Sequence, residues 1–349
     1  MRKRTKRRIF LLTTIFTGLL AIGIYTEIKT RQANAVIYAE PTMALYPREA
    51  YYPHYETLHL TAGKGYEFKN PNSKKLLITL DSGPSWEAQV GKEGKRLSYL
   101  RLIDWLLPFY TYYDYTIFVP EIFDWEEDEY LYYWNTTTER ERNTFGNVQA
   151  CFEEVINEYI SKNNYDTIVI AGVSAGAIHL PMVYPKLDSS KISSLISISY
   201  GALPVYESYS IMYSKYQAGE KPFEVQEYWV NLAGIRLKTL LNYYNEDPRR
   251  DTINRIGFLH QVTFKYLNSI LDQRPFEYYE GINIPVLFIH GERDRSFPVE
   301  STKYVEANLP GKPFDFIYYP EMGHGPDTRE ELYEMREDIK DWLTRKGLL

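Results

Sequence analysis

Ser174, Asp294 and His324 are the residues of this chain whose types and order could do covalent chemistry. Ser174 is the centre of Gly172-Val173-Ser174-Ala175-Gly176, directly after the apolar, β-branched run Thr167 to Ala171. A serine hydroxyl is a poor nucleophile at neutral pH and needs a base in reach to take its proton. An imidazole suits that task because its pKa lies near the operating pH. A carboxylate on the far ring nitrogen holds the useful tautomer and stabilises the imidazolium. A strand running into Gly-x-Ser-x-Gly describes a tight strand-to-helix turn that lifts one hydroxyl above a sheet. Its glycines avoid collisions where the chain turns so sharply. The competing reading is an ordinary turn in which the serine caps a helix.

The elements that must position the other two residues lie downstream. Ile284 to His290 reads as a buried strand, and Gly291-Glu292-Arg293-Asp294 as the acid-bearing turn that ends it. Phe314 to Tyr319 reads as a strand before a loop, Pro320 to Gly325, that carries His324. Serine, acid and histidine thus follow one another in the chain, each just past the carboxyl end of a strand.

With these three motifs, the sequence from about residue 74 to the C-terminus resembles the α/β-hydrolases, whose triad has this chain order. The resemblance implies Ser174 as nucleophile, His324 as base and Asp294 as its partner. Asp294 is favoured over the nearby Glu292 because it fills the last position of the family's H-G-x-x-D pattern. One oxyanion donor is expected at the backbone N–H of Ala175, the residue after the nucleophile. The second maps to the N–H of Gly83, after the strand Leu76 to Leu80. There Asp81-Ser82-Gly83-Pro84-Ser85 stands where peptidase-like and esterase-like relatives often carry His-Gly-Gly-Pro-Gly.

The resemblance further implies hydrolysis of a carboxylic ester through an acyl-enzyme. A serine peptidase of the proline-iminopeptidase-like branch, acting on short peptides, is the alternative among enzymes. A non-catalytic binding protein that kept the fold is the alternative outside them. No metal or organic cofactor is implied. The other histidines read differently: His179 as packed on the elbow helix and His290 as a packed strand residue. His54, His59 and His260 lie in the N-terminal part and the interval after residue 203.

Strands alternate with helical patterns along most of the body. Glu56 to Thr61 and Tyr66 to Lys69 suit an antiparallel edge hairpin. Leu97 to Leu107 suggests a helix before the strand Tyr115 to Pro120. Val148, Phe152, Val155, Ile156 and Tyr159 recur at helical spacing, and Ile192 to Tyr200 reads as the strand after the elbow helix. The pattern gives an α/β fold, a mostly parallel sheet with helices on both faces. Between residues 203 and 281 the strand rhythm stops, and Gln226 to Tyr244 and Arg255 to Leu271 read as helices. By resemblance this interval is a helical cap over the active site, with 36–202 and 282–349 forming the two parts of the core.

Residues 1–35 are a different kind of sequence. Six basic side chains between Arg2 and Arg8 precede 17 uncharged, mostly apolar residues, Ile9 to Tyr25. This fits an uncleaved membrane anchor at residues 9–25 or a secretory signal cleaved after Ala35. Either way the basic flank stays cytoplasmic and the catalytic part faces outward. These 35 residues hold eight of the 40 basic and one of the 46 acidic side chains, so the remainder carries 32 against 45. An acidic body is a poor candidate for nucleic acid. The single cysteine, Cys151, excludes an intramolecular disulfide.

Overall fold

In the computed structural model, residues 56–61, 63–80, 101–121, 144–219, 264–294 and 296–349 are described. The chain divides into two compact units, residues 1–51 with 327–329, and residues 52–326 with 330–349. Nearly all described residues belong to the second.

An 8-stranded sheet organises this unit, in the order β1-β2-β4-β3-β5-β6-β7-β8. The strands are β1 (Glu56–His59), β2 (Lys64–Phe68), β3 (Lys75–Leu80), β4 (Tyr115–Glu121), β5 (Thr167–Val173), β6 (Ile192–Ile198), β7 (Val286–Gly291) and β8 (Phe314–Tyr319). β1 and β2 form the antiparallel edge hairpin, and β2 also runs antiparallel to β4. All later pairings are parallel. The described helices are α1 (Arg101–Thr111), α2 (Phe145–Lys162), α3 (Ala175–Val183), α4 (Val205–Ala218), α5 (Phe264–Leu271), α6 (Phe276–Tyr279), α7 (Glu300–Asn308) and α8 (Arg329–Arg345).

The central strands are apolar along their whole length because both faces of a parallel sheet are covered. On one face Leu76, Ile78, Leu80, Ile168 and Ile170 pack with Val148, Phe152, Val155 and Ile156 of α2. Their neighbours Leu77, Val169, Leu287 and Ile289 point to the other face and are equally buried. Each such side chain contributes roughly 1.5–3 kcal/mol on burial, so the core holds without an internal disulfide, Cys151 being the single cysteine. α2 starts where Thr144 caps it, accepting the Asn147 N–H at 3.3 Å. Its buried stripe is the one its spacing predicts.

Two local differences from the sequence reading have physical causes. β6 stops at Ile198, not Tyr200, because Ser199 turns the chain with φ 60°. α4 was not legible as a helix because much of its inner face is tyrosine, with Tyr206, Tyr209, Tyr213 and Tyr216 half-buried. Gly219, at φ 68°, ends it. α5 coincides with the end of the helix expected at 255–271. The helix expected at 226–244 lies outside the described residues. No described helix is long and apolar enough to cross a membrane, and residues 9–25 lie outside the described residues.

Candidate active site

Ser174 occupies the turn between β5 and α3 with φ 55° and ψ −118°, a conformation that L-residues avoid. It is no ordinary helix cap: its side chain makes no capping hydrogen bond. The sharpness of the turn explains Gly172. A Cβ there would come within 2.7 Å of the carbonyl oxygen of Gly176. The carbonyl of Ser174 accepts the N–H groups of Ala177 and Ile178 at 3.1 and 3.2 Å, which starts α3. Ala175 is the first residue of that helix. Gly83 lies outside the described residues.

Asp294 and His324 meet across the ends of β7 and β8. His324 Nδ1 stands 2.8 Å from Asp294 Oδ2. The other carboxylate oxygen accepts two backbone N–H groups, from Ser296 at 2.6 Å and Phe297 at 3.0 Å. Burial would raise the pKa of this carboxyl. The charge of His324 and hydrogen bonds from His290 and His324 outweigh it, and hold Asp294 well below the usual carboxylate range. Asp294 is therefore an anion, fully buried at its side chain, while 24% of the His324 side chain stays exposed. Gly291 makes the meeting possible: a Cβ there would stand 2.2 Å from the carbonyl oxygens of Met322 and Gly323. Glu292, the rival acid, instead pairs with Lys303 at 2.8 Å.

The serine turn and the histidine loop both fasten to the end of β6. The Ser174 N–H donates to the carbonyl of Ile198 at 3.1 Å, and Ser199 Oγ donates to the carbonyl of His324 at 3.1 Å. The sequence reading missed Ser199, whose only signal was its place just past a buried strand. It also missed part of His290. This residue is buried in β7 as expected, yet its Nε2 lies 3.3 Å from Asp294 Oδ2. His179 packs as expected, stacked on Phe145 with ring centroids 3.9 Å apart. Burial lowers its pKa to about 3, so it is neutral at ordinary pH.

No family model and no curated protein matches the sequence. Solved structures do match the fold. Est1E from Butyrivibrio proteoclasticus, in a structure with ferulic acid bound, superimposes with a TM-score of 0.54 at 14% identity, over 84% of this chain and 100% of that one. A proline iminopeptidase of Mycobacterium smegmatis gives 0.53 at 13% identity, over 84% and 99%. The chain has the α/β-hydrolase fold. An esterase of Pyrococcus furiosus gives 0.51 at 15% identity, over 84% and 91%. In this chain Ser174, Asp294 and His324 stand just past the ends of β5, β7 and β8.

Proposed function

We propose that this chain is a serine hydrolase that cleaves a carboxylic ester through an acyl-enzyme. The observation that carries the reading is the 2.8 Å contact of His324 Nδ1 with the buried Asp294 carboxylate. With it goes the strained backbone of Ser174 at the end of β5, tied to the histidine loop through the end of β6. In this reading His324 Nε2 takes the proton of Ser174 Oγ as the oxygen attacks the carbonyl carbon. The N–H groups of Ala175 and Gly83 receive the oxyanion. The C–O bond to the alcohol then breaks, and the alcohol leaves with the proton from His324. Water repeats the sequence, losing its proton to His324 and releasing the acid.

The fold is shared with both esterases and a proline iminopeptidase, so ester and amide substrates are compared in one test. The protein is assayed against p-nitrophenyl acyl esters and aminoacyl p-nitroanilides, each with the Ser174→Ala variant as control. Turnover of the esters alone, abolished in Ser174→Ala, supports the esterase reading. Turnover of the anilides at comparable kcat/KM would replace it with the peptidase reading. Residues 203–281 would form the cap that shapes the pocket, and its deletion should broaden the range of acyl chains accepted.

Residues 9–25 would hold the protein at the cytoplasmic membrane with residues 36–349 outside. At 1.5 Å per residue the 17 uncharged residues reach roughly 26 Å as a helix, just short of a hydrocarbon core. Cell fractionation with N-terminal sequencing tests this. Met1 retained in membranes supports the anchor, and a new terminus at Val36 in the soluble fraction replaces it with a cleaved signal.

A further inference from the structure

We propose that His290 is a positioning residue for the acid, its Nε2–H a second imidazole donor to the same oxygen of Asp294 that holds His324. This deepens the hydrolase reading and rests on its assignment of Asp294 and His324 as acid and base.

The surroundings of His290 fix its tautomer. Nε2 lies 3.2 Å from the carbonyl of Phe297 and 3.3 Å from Asp294 Oδ2. Both are acceptors without a proton to give, so Nε2 carries the hydrogen. Nδ1 lies 2.7 Å from Thr302 Oγ1. A threonine hydroxyl can donate, so a neutral ring with a bare Nδ1 satisfies every contact. Asp294 thus meets two backbone N–H groups at Oδ1 and two imidazoles at Oδ2, with the single Nε2–H of His290 shared between Oδ2 and the Phe297 carbonyl.

His290 and Asp294 are both 0% exposed at their side chains, so neither contact competes with bulk water. Among the described residues, the titratable groups facing Asp294 are His290 of β7 and His324 of the loop after β8. Around these two rings, α7 contributes the Thr302 hydroxyl beside His290, and Ser199, just past β6, donates to the His324 carbonyl. Of the charged chain neighbours of Asp294, Arg293 pairs with Glu321 and Glu292 with Lys303 at the surface, and Arg295 lies outside the described residues.

The consequence is chemical. A carboxylate that shares its charge between two donors pulls less strongly on either. Removing the His290 donor leaves Oδ2 to His324 alone. The acid then holds the imidazolium proton more tightly, and the His324 pKa rises. It also loses a restraint on its rotation, which costs rate, as loss of an outer hydrogen-bond partner does at other sites.

The test is the titration of His324 followed by imidazole NMR in the intact protein and in three variants. His290→Phe and His290→Asn place no donor at the Nε2 position, whereas the amide nitrogen of His290→Gln reaches it. The expected result is a His324 pKa raised by about half a unit or more in His290→Phe and His290→Asn. His290→Gln should titrate like wild type. Fluorophosphonate labelling should slow about tenfold in the first two, with its acid limb moved to higher pH, and recover in the third. If His290→Phe does not fold, the Asn and Gln variants decide. An identical His324 titration in all folded variants overturns the proposal, and so does an equal shift in Gln and Asn. Wild-type protein that is not labelled at Ser174 would overturn the hydrolase reading instead, while the NMR titration still decides the role of His290.

Discussion

Ser199 holds His324 by its backbone: the serine hydroxyl donates to the histidine carbonyl at 3.1 Å, from a residue with φ 60°. Its neighbour Ile198 accepts the N–H of Ser174 at 3.1 Å. Two consecutive residues at the end of β6 therefore set the spacing of the proposed nucleophile and base. Ser199→Ala should leave the His324 carbonyl without this donor and cost about 1–3 kcal/mol of stability. Turnover should fall about tenfold as the loop loosens, since small displacements of catalytic groups are costly. Thermal melts and steady-state kinetics check both effects, and a variant unchanged in both would show that the tether is dispensable.

The glycines of the site differ sharply in what surrounds them. A Cβ on Gly291 would stand 2.2 Å from two backbone oxygens of the histidine loop, and one on Gly172 would stand 2.7 Å from the Gly176 oxygen. Neither neighbour is a flexible side chain. Gly291→Ala and Gly172→Ala should each destabilise by about 1–3 kcal/mol or more. Gly146 in α2 has nothing within 4 Å of an added Cβ, so Gly146→Ala should be neutral or stabilise by up to about 1 kcal/mol. Chemical denaturation of the three variants tests this ordering.

Much of this architecture was legible in the sequence, and the reasons are physical. β3, β5 and β7 announced themselves because strands buried on both faces must be apolar throughout. The order serine, acid, histidine was legible because each residue follows a strand, β5, β7 or β8. Asp294 over Glu292 came from a family pattern; in the structure Asp294 is buried against His324 while Glu292 meets a surface lysine. Ser199 and the second contact of His290 were not legible. Both depend on which residues of separate strands come side by side, and no local spacing encodes that. α4 escaped for a different reason: its tyrosines are amphipathic, so no clean apolar stripe marks the helix.

Acid should destabilise the fold through His179. Its folded pKa lies at about 3, below its ordinary value of 6.5, because burial disfavours the charged ring. Above pH 6.5 both folded and unfolded states are neutral there, and nothing is lost. As pH falls from 6.5 toward 3 the unfolded state takes the proton first, so stability declines by at most about 1.4 kcal/mol per pH unit. The depressed pKa of Asp294 adds a second loss only below its ordinary value of 3.8. His179→Phe, which keeps a ring against Phe145, should flatten the decline between pH 6.5 and 4. Urea melts across that range would contradict the prediction if variant and wild type ran parallel.

Gly83→Pro should delete the second proposed oxyanion donor. The expected cost is about 3 kcal/mol of transition-state stabilisation, roughly a hundredfold in kcat. Near-UV circular dichroism must first show that the variant is folded. Normal turnover in a folded Gly83→Pro protein would move the second donor to another N–H.

The central claim is that Ser174 is the nucleophile, and covalent capture tests it most directly. The protein is incubated with a fluorophosphonate, its intact mass is measured, and the modified peptide is sequenced. The account predicts one adduct per chain, on Ser174, absent in Ser174→Ala and nearly absent in His324→Ala. An adduct on another serine, or hydrolysis retained in Ser174→Ala, would contradict it.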